Sequence, residues 1–372
     1  MTQIPFIKND FILKNGYIPY VYGTKCDKFY TLNNDAKDIL SKFNGKDSIE
    51  EISQQLAIER NENAEDINST IESLIASTNF LSSSKNMIDI YLSYNDENVQ
   101  YPSHISFELT SDCNYKCKHC YNNCEPDKNE KYMDKDEIIT ILNQLREIGV
   151  LGIELTGGEP FLHPNFEEIV IHGLKLFNIV AIITNGSLIT EKFLKSLKEY
   201  RHKLSFQVPL HSVDSGYMDD FCGNKCSFMN SEKAINLLTK YGFLTRVGMI
   251  ITPDNINSMV DTAMFAQSFI VKNSIFSEKS YRTLFFAFSV VIPVGRSNSF
   301  KNIVIESEEV FREMQNNLKI CDEKFGDFIY KDDPKIYDDD QHCGVGITSV
   351  AVDNSGNLKL CDVSYYKMGK CI

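Results

Sequence analysis

From His104 onward, short β-type runs alternate with amphipathic helical stretches, and this alternation limits the folds open to the chain more than any other feature. The runs are "HISFELT", "GIELTGG", "VAIITNG", "KLSFQVPL", "LTRVGMIIT" and "TLFFAFSVV". Between them lie "KDEIITILNQLREIG", "NFEEIVIHGLKLF", "TEKFLKSLKEY", "SEKAINLLTKYG" and "NSMVDTAMFAQSFI". Helical crossovers between successive strands imply a parallel sheet, wound right-handed, with the helices outside. The expected class is therefore α/β. Six units in about 200 residues suit an open, partial (β/α)6 barrel better than a closed eight-unit one. Chemistry in such folds gathers beyond the carboxyl ends of the strands.

The loop after the first run reads "DCNYKCKHCY". It places Cys113, Cys117 and Cys120 in a C-x3-C-x2-C spacing, with Cys124 just beyond. The N-terminus has no basic stretch followed by an apolar core, and no apolar run is long enough for a membrane helix, so a cytoplasmic location and no membrane partner are expected. Eleven cysteines in a reducing compartment suggest metal or redox chemistry before disulfides. Thiolates are the usual protein ligands of iron–sulfur clusters, and three of them can hold only three irons of a cubane. A structural zinc site with Cys124 or His119 as fourth ligand is the rival, and inert buried cysteines are the plain alternative. With 38 Lys and Arg against 51 Asp and Glu, the net charge of −13 disfavours binding to nucleic acid.

One strand further on stands "ELTGGEP". Gly157 and Gly158 would let backbone approach a ligand closely, and Glu159 offers a carboxylate to an amine, although a simple turn would read the same way. With both motifs in view, residues 104–300 resemble the radical S-adenosylmethionine (radical SAM) enzymes. The resemblance implies a [4Fe–4S] cluster on Cys113, Cys117 and Cys120, whose free fourth iron is chelated by SAM. It also implies that Gly157, Gly158, Glu159 and Pro160 form the motif that meets the SAM amine. Reductive cleavage of SAM would give methionine and a 5′-deoxyadenosyl radical that takes hydrogen from an unreactive C–H bond. His119 stands where the family has an aromatic residue near the adenine, and stacking is expected of it. Asn185 and Gly186, in "ITNGSLI", are expected to shape the SAM pocket, with a strand-end turn as the other reading. Arg296, in "PVGR", matches the sixth-strand motif; an ion pair on the barrel rim is the other reading. At the fourth strand, Pro209, Leu210, His211 and Ser212 replace the Ser-Leu-Asp-Gly common in relatives, so the usual serine contact is missing.

Residues 1–85 read as short aromatic strands ("DFILKNGYIPYVYG", "KFYTLN") followed by three helices, the second opening on a capping box at Ser48 and Glu51. This stretch resembles the RiPP recognition element, the winged-helix domain that binds leader peptides of ribosomally made, post-translationally modified peptides. The resemblance implies a precursor peptide as partner, its leader adding a strand to an open sheet edge. A winged helix that binds DNA is the plain alternative, disfavoured by the net acidity. Residues 86–102 are expected to be a linker and 103–300 the barrel. Residues 301–372 resemble the start of a SPASM domain, an auxiliary-cluster region. There Cys343 and Cys361 flank a hairpin and, with Cys371 and Cys321, are candidates for one auxiliary cluster. The chain stops at Ile372, before the later cysteines common in that domain, so an incomplete region is expected. For Cys222 and Cys226 a structural role is favoured over ligation or bonding to a substrate thiol.

The expected function is that of a radical SAM enzyme modifying a precursor peptide. A thioether crosslink is the first expectation, with carbon–carbon crosslinking and epimerisation next, and a flavodoxin- or ferredoxin-type protein would donate the electron. A maturase that oxidises a Cys or Ser of a folded protein is the rival enzyme. An iron–sulfur redox-sensing regulator is the non-enzymatic one.

Overall fold

The computed structural model describes residues 3–8, 11–14, 20–23, 28–78, 80–84, 102, 104–127, 132–148, 150–272, 284–330, 349–364 and 366–371. The chain divides into two compact units, Met1–Pro102 and Ser103–Ile372.

In the first unit, β1 (Ile4–Ile7) pairs antiparallel with the returning β5 (Leu81–Ser84). Strands β2 (Phe11–Lys14), β3 (Tyr20–Gly23) and β4 (Lys28–Thr31) form an antiparallel meander. Helices α1 (Asn34–Ser41), α2 (Ile49–Arg60) and α3 (Ala64–Ser77) follow. Their apolar faces close a core of Ile7, Val21, Leu40, Phe43, Ile52 and Ile71. The expected capping box is present: the Glu51 amide donates to Ser48 Oγ at 3.2 Å, and the Ser48 amide donates to the Glu51 carboxylate at 2.8 Å. The expected three strands and three helices are thus found, with β1 and β5 added. Apart from residue 102, the expected linker lies outside the described residues.

The second unit is built on six parallel strands: β6 (His104–Glu108), β7 (Gly152–Thr156), β8 (Ile179–Ile183), β9 (Leu204–Pro209), β10 (Leu244–Ile251) and β11 (Leu284–Val290). They pair in sequence order. Helices α4 (Lys135–Glu147), α5 (Phe166–Leu176), α6 (Glu191–Ser196), α7 (Ser215–Cys222), α8 (Ser227–Tyr241), α9 (Met259–Lys272) and α10 (Glu308–Phe325) connect and follow them. Alternate strand residues, such as Phe107, Leu155, Ile182, Phe206, Val247 and Phe286, pack against the helices. The intervening positions, Ser106, Glu108, Glu154, Gln207 and Arg246, point to the opposite face, as a period of two requires.

Two features depart from the sequence reading. Helix α7 was not expected; Asp214 caps it and Gly223, at φ +63°, ends it. The tail, read as a separate region from residue 301, joins the barrel sheet instead. Strand β12 (Ser349–Val352) pairs parallel with β6, and β13 (Asn357–Lys359) and β14 (Lys367–Lys370) extend that edge antiparallel. The expected hairpin is there, its turn at Asp353–Gly356 held by the Asp353 carboxylate, which accepts from the Ser355 and Asn357 amides at 2.9 Å each. A two-stranded hairpin alone buries little, and docking on an open barrel edge satisfies both backbones.

Candidate functional site

The loop after β6 is held by three other parts of the unit, and at each contact a glycine allows close approach. At the end of β7, the Gly158 amide donates to Thr110 O at 2.7 Å and the Glu159 amide to Asp112 O at 2.8 Å. A Cβ on Gly158 would overlap the Asp112 carbonyl oxygen. The glycine pair thus packs its backbone directly against the cysteine loop. At the end of α7, Phe221 O and Cys222 O accept from the Lys118 and Lys116 amides at 2.9 and 3.3 Å. A Cβ on Gly223 would overlap Lys116 O. Beyond β11, Gly295 sits at φ +65° against Tyr121 O, and the Arg296 amide donates to Cys120 O at 2.9 Å. The Arg296 guanidinium donates to the carbonyls of Cys117 (2.9 Å), Asn123 (2.8 Å) and Cys124 (2.8 Å).

Inside this grip, Cys113, Cys117 and Cys120 lie together with Cys124 and Cys222, walled by Tyr115, Met218 and Phe228. Backbone amides are aimed at two of the sulfurs, Tyr115 N at Cys113 Sγ (3.4 Å) and Cys124 N at Cys120 Sγ (3.3 Å). Burial pushes the Cys113 thiol up to about 12. The Cys117 thiol is raised by its hydrogen bond with Cys222 and then by burial. Cys120, hydrogen-bonded by the Cys124 thiol, is lowered to about 6. Among the described residues no three His, Cys, Asp or Glu side chains close on a point where one metal ion could sit. A cubane makes no such demand, because each thiolate takes a separate iron. The donor set fits a three-thiolate cluster: three neighbouring soft ligands, amides facing their sulfurs and apolar walls.

The other expected site residues are brought to the same end of the sheet, but their polar atoms are mostly engaged within the protein. Glu159 is fully buried and accepts from Thr184 Oγ1 (2.7 Å), the Asn185 amide (2.8 Å) and the Phe161 amide (3.2 Å). Burial still raises its carboxyl to about 7. Asn185 reaches back to the loop, its Nδ2 donating to Asn114 Oδ1 at 2.7 Å. Pro160 begins a 3-10 turn capped by Glu159. The His119 ring stacks on Phe221 (centroids 4.6 Å apart) and meets His211 edge-on at 4.9 Å. Burial lowers His119 to about 4, and its Nδ1 is buried without a partner. His211, in the aspartate's place of that motif, accepts from the Ile250 amide through Nδ1 at 3.1 Å. The guanidinium of Arg296 is spent on loop carbonyls, and its ion pair with Glu125 (3.6 Å) is secondary.

Beside the loop lies a polar cavity of about 210 Å³, lined by Glu108, Ser111, Asn122, Cys124, Asp353 and Lys359 among others. Lys359, on the tail hairpin, forms a buried ion pair with Glu108 at 2.8 Å. Burial raises Glu108, and Lys359 opposes that shift. One layer deeper, Ser106 donates to Glu154 at 3.2 Å, and burial with the nearby Asp362 raises Glu154 to about 7.

The tail cysteines separate. Cys361 and Cys371 are half-buried and stand by β13 and β14. Cys371 donates its amide to Gly356 O at 2.9 Å. Cys343 lies outside the described residues. Cys321 leaves the expected auxiliary set. It is fully buried on α10, in the apolar core with Met314, Phe325 and Phe328, at the β11 edge of the sheet, whereas Cys361 and Cys371 stand at the opposite edge. Its spacing from Phe325 and Met314, four and seven positions, is that of a helix's inner face, a signal already present in the sequence. Cys222, for which the sequence reading favoured a structural role, is buried beside the three loop cysteines at the end of α7.

The sequence over residues 107–266 matches the Radical SAM superfamily. This stretch is a radical SAM domain. Proteins with this domain use a [4Fe–4S] cluster and SAM. The chain is 32% identical over 263 residues to the antilisterial bacteriocin subtilosin biosynthesis protein AlbA of Bacillus subtilis (strain 168), covering 70% of this chain and 55% of that protein. It is 26% identical over 230 residues to the sporulation killing factor maturation protein SkfB of the same strain, covering 61% and 51%. The chain thus spans only about half the length of these curated relatives. In fold it is similar to Streptococcus suis SuiB bound to its precursor peptide SuiA, with a TM-score of 0.68 at 15% identity, covering 98% of this chain and 86% of that one. The same protein has been solved bound to S-adenosylmethionine. Among the described residues no helix is long and apolar enough to cross a membrane.

Proposed function

We propose that the chain is a radical SAM enzyme that modifies a ribosomally made precursor peptide, with a thioether crosslink as the product. The observation that carries the reading is the gripped loop with three neighbouring thiols at the carboxyl end of the first barrel strand. Cys113, Cys117 and Cys120 hold the [4Fe–4S] cluster, and Gly157–Pro160, His119 and Asn185 border the SAM site. Reduced and bound there, cluster and SAM supply a 5′-deoxyadenosyl radical able to take hydrogen from an unactivated C–H bond. The chain's own residues do the rest. Arg296 and the three glycine contacts keep the loop in one shape, and the apolar walls keep water from the sulfurs. The polar cavity between loop and hairpin receives the peptide segment to be modified. Residues 1–85 bind the leader, a flavodoxin- or ferredoxin-type protein delivers the electron, and Cys361 and Cys371, with Cys343, hold an auxiliary cluster. Support for the peptide substrate comes from relatives named for the biosynthesis of a bacteriocin and the maturation of a killing factor.

Anaerobic incubation with SAM and dithionite should yield 5′-deoxyadenosine from the wild-type protein and none from Cys117→Ala. Equal yields from the two would remove the ligand assignment. Co-expression with a candidate cysteine-containing precursor peptide should give a peptide lacking two hydrogens per crosslink. An unchanged peptide mass would leave the cleavage chemistry standing and remove the proposed substrate.

A further inference from the structure

The turn that carries the chain from Cys120 to Cys124 is held by two distant elements. Asn123 stands at φ +57°, in the left-handed region, and the carbonyls of Asn123 and Cys124 accept from Arg296 at 2.8 Å each. At the end of β6, Glu108 Oε1 accepts from Asn122 Nδ2 at 2.8 Å. A left-handed residue other than glycine persists where its surroundings fix it. The same turn aims the Cys124 amide at Cys120 Sγ, 3.3 Å away, so its shape bears on the placing of that sulfur.

Glu108 is fixed in its turn by the tail. Lys359 Nζ, on β13, donates to the same Oε1 and to Asp362 O, both at 2.8 Å. The two charged side chains are only 7% and 8% exposed. Desolvating two charges costs about as much as their attraction returns, and an apolar pair of matched shape is often as stable. Stability alone gives no reason for an ion pair here, whereas the fixing of a geometry does. The pairing of β13 with β14 shifts register between Leu358 and Lys359, and such irregularities re-aim a side chain.

We propose that Lys359 is a positioning residue for the cysteine loop: through Glu108 it holds Asn122, and so keeps the Cys120–Cys124 turn in the shape in which SAM binds at the cluster. The inference rests on the ligand assignment and the SAM site proposed above. It makes the docked tail hairpin part of the frame of the SAM site. Glu108, Asn122 and Lys359 also line the polar cavity, so a peptide segment seated there lies against the same chain of bonds. A tail that only covered the sheet edge would use Lys359 for docking alone, and substitution of Asn122 would then act independently of it.

A double-substitution cycle separates the two. Lys359→Met, Asn122→Leu and the two combined are reconstituted as full-length protein. Iron and sulfide are counted, unfolding is measured, and SAM is titrated into the reduced protein by the change in the cluster's EPR signal. Each single variant should keep its cluster and bind SAM about three- to tenfold more weakly, and the combined variant should bind no more weakly than the poorer single one. Lys359→Arg, which keeps the charge and a donor, should recover most of the loss. Lys359→Met strands a buried carboxylate, so Lys359→Met with Glu108→Leu, which removes both charges, is titrated beside it. The loss should persist there, because Asn122 still lacks its acceptor. Wild-type affinity in that charge-free variant would overturn the inference, and so would effects of Lys359→Met and Asn122→Leu that simply multiply. Both outcomes would leave the cluster ligands as assigned. Loss of iron from every variant would make the turn a requirement for cluster assembly and overturn its role in SAM binding. A wild-type protein that takes up no cluster, or whose cluster signal ignores SAM, would instead bring down the ligand assignment and the SAM site.

Discussion

The loop after β6 and the tail after β11 are both rich in cysteine, yet they are built in opposite ways. Cys113, Cys117 and Cys120 sit in a loop that β7, α7 and the turn at Gly295 grip from separate directions. Cys361 and Cys371 sit beside short strands at a sheet edge, half-buried, and Cys321 is buried elsewhere, among aromatic side chains. Spacing along the chain could not separate these cases. What separates them is whether backbone from distant elements is committed to holding the sulfurs in place.

The sharpest way to break the comparison is to add one methyl group to the grip. Gly158→Ala would place its Cβ against Asp112 O, and Gly295→Ala would meet Tyr121 O while held at a positive φ. Neither neighbour is a flexible side chain that could move aside. Each variant should lose most of its cluster iron after reconstitution, with unfolding stability lowered by about 2 kcal/mol or more. Full iron content in either one would mean that the loop does not need the grip.

A second test reaches the barrel interior, where the tail's Asp362 helps to raise Glu154. Its carboxyl lies at about 7 against an ordinary 4.5. Below 4.5 it is protonated whether folded or unfolded and costs nothing. As pH rises through the window between the two values, only the unfolded chain releases the proton, so stability is lost until about pH 7. Glu154→Gln is spared this loss. Its thermal stability should gain on the wild type as pH rises from about 5 to 8, by at most about 3 kcal/mol. A constant difference across that range would show that burial leaves the interior carboxylate unperturbed.

The smallest effect sharpens the division within the tail. Cys321→Ala should cost about 1–2 kcal/mol of stability and leave the iron content unchanged. Cys361→Ala should lower iron by one cluster's worth if the edge cysteines ligate. A fall in iron on substituting Cys321 would return it to the auxiliary set.

Much of the barrel was legible because strands buried on one face and helices with one apolar stripe leave different periods in the sequence. The three-cysteine loop was legible because its ligands are neighbours in the chain. Arg296 could be picked out but not its target, since loop carbonyls more than a hundred positions away leave no local trace. Helix α7 was missed because "SGYMDDFC" is short and polar, with its stop and start encoded by single residues. The parallel pairing of β12 with β6 was missed for a related reason. A hairpin reads as self-sufficient, and nothing in its own residues names the strand it will dock against.

The hydrogen bond from Arg296 to Cys117 O joins residues 179 positions apart. During synthesis the cysteine loop leaves the ribosome long before the residues that will clasp it. A nascent chain carrying only the first four barrel strands, β6 to β9, has its thiols but not the Arg296 clasp that helps to shape them. The frame that shapes the cysteine loop is not complete before residue 296 has been added to the chain.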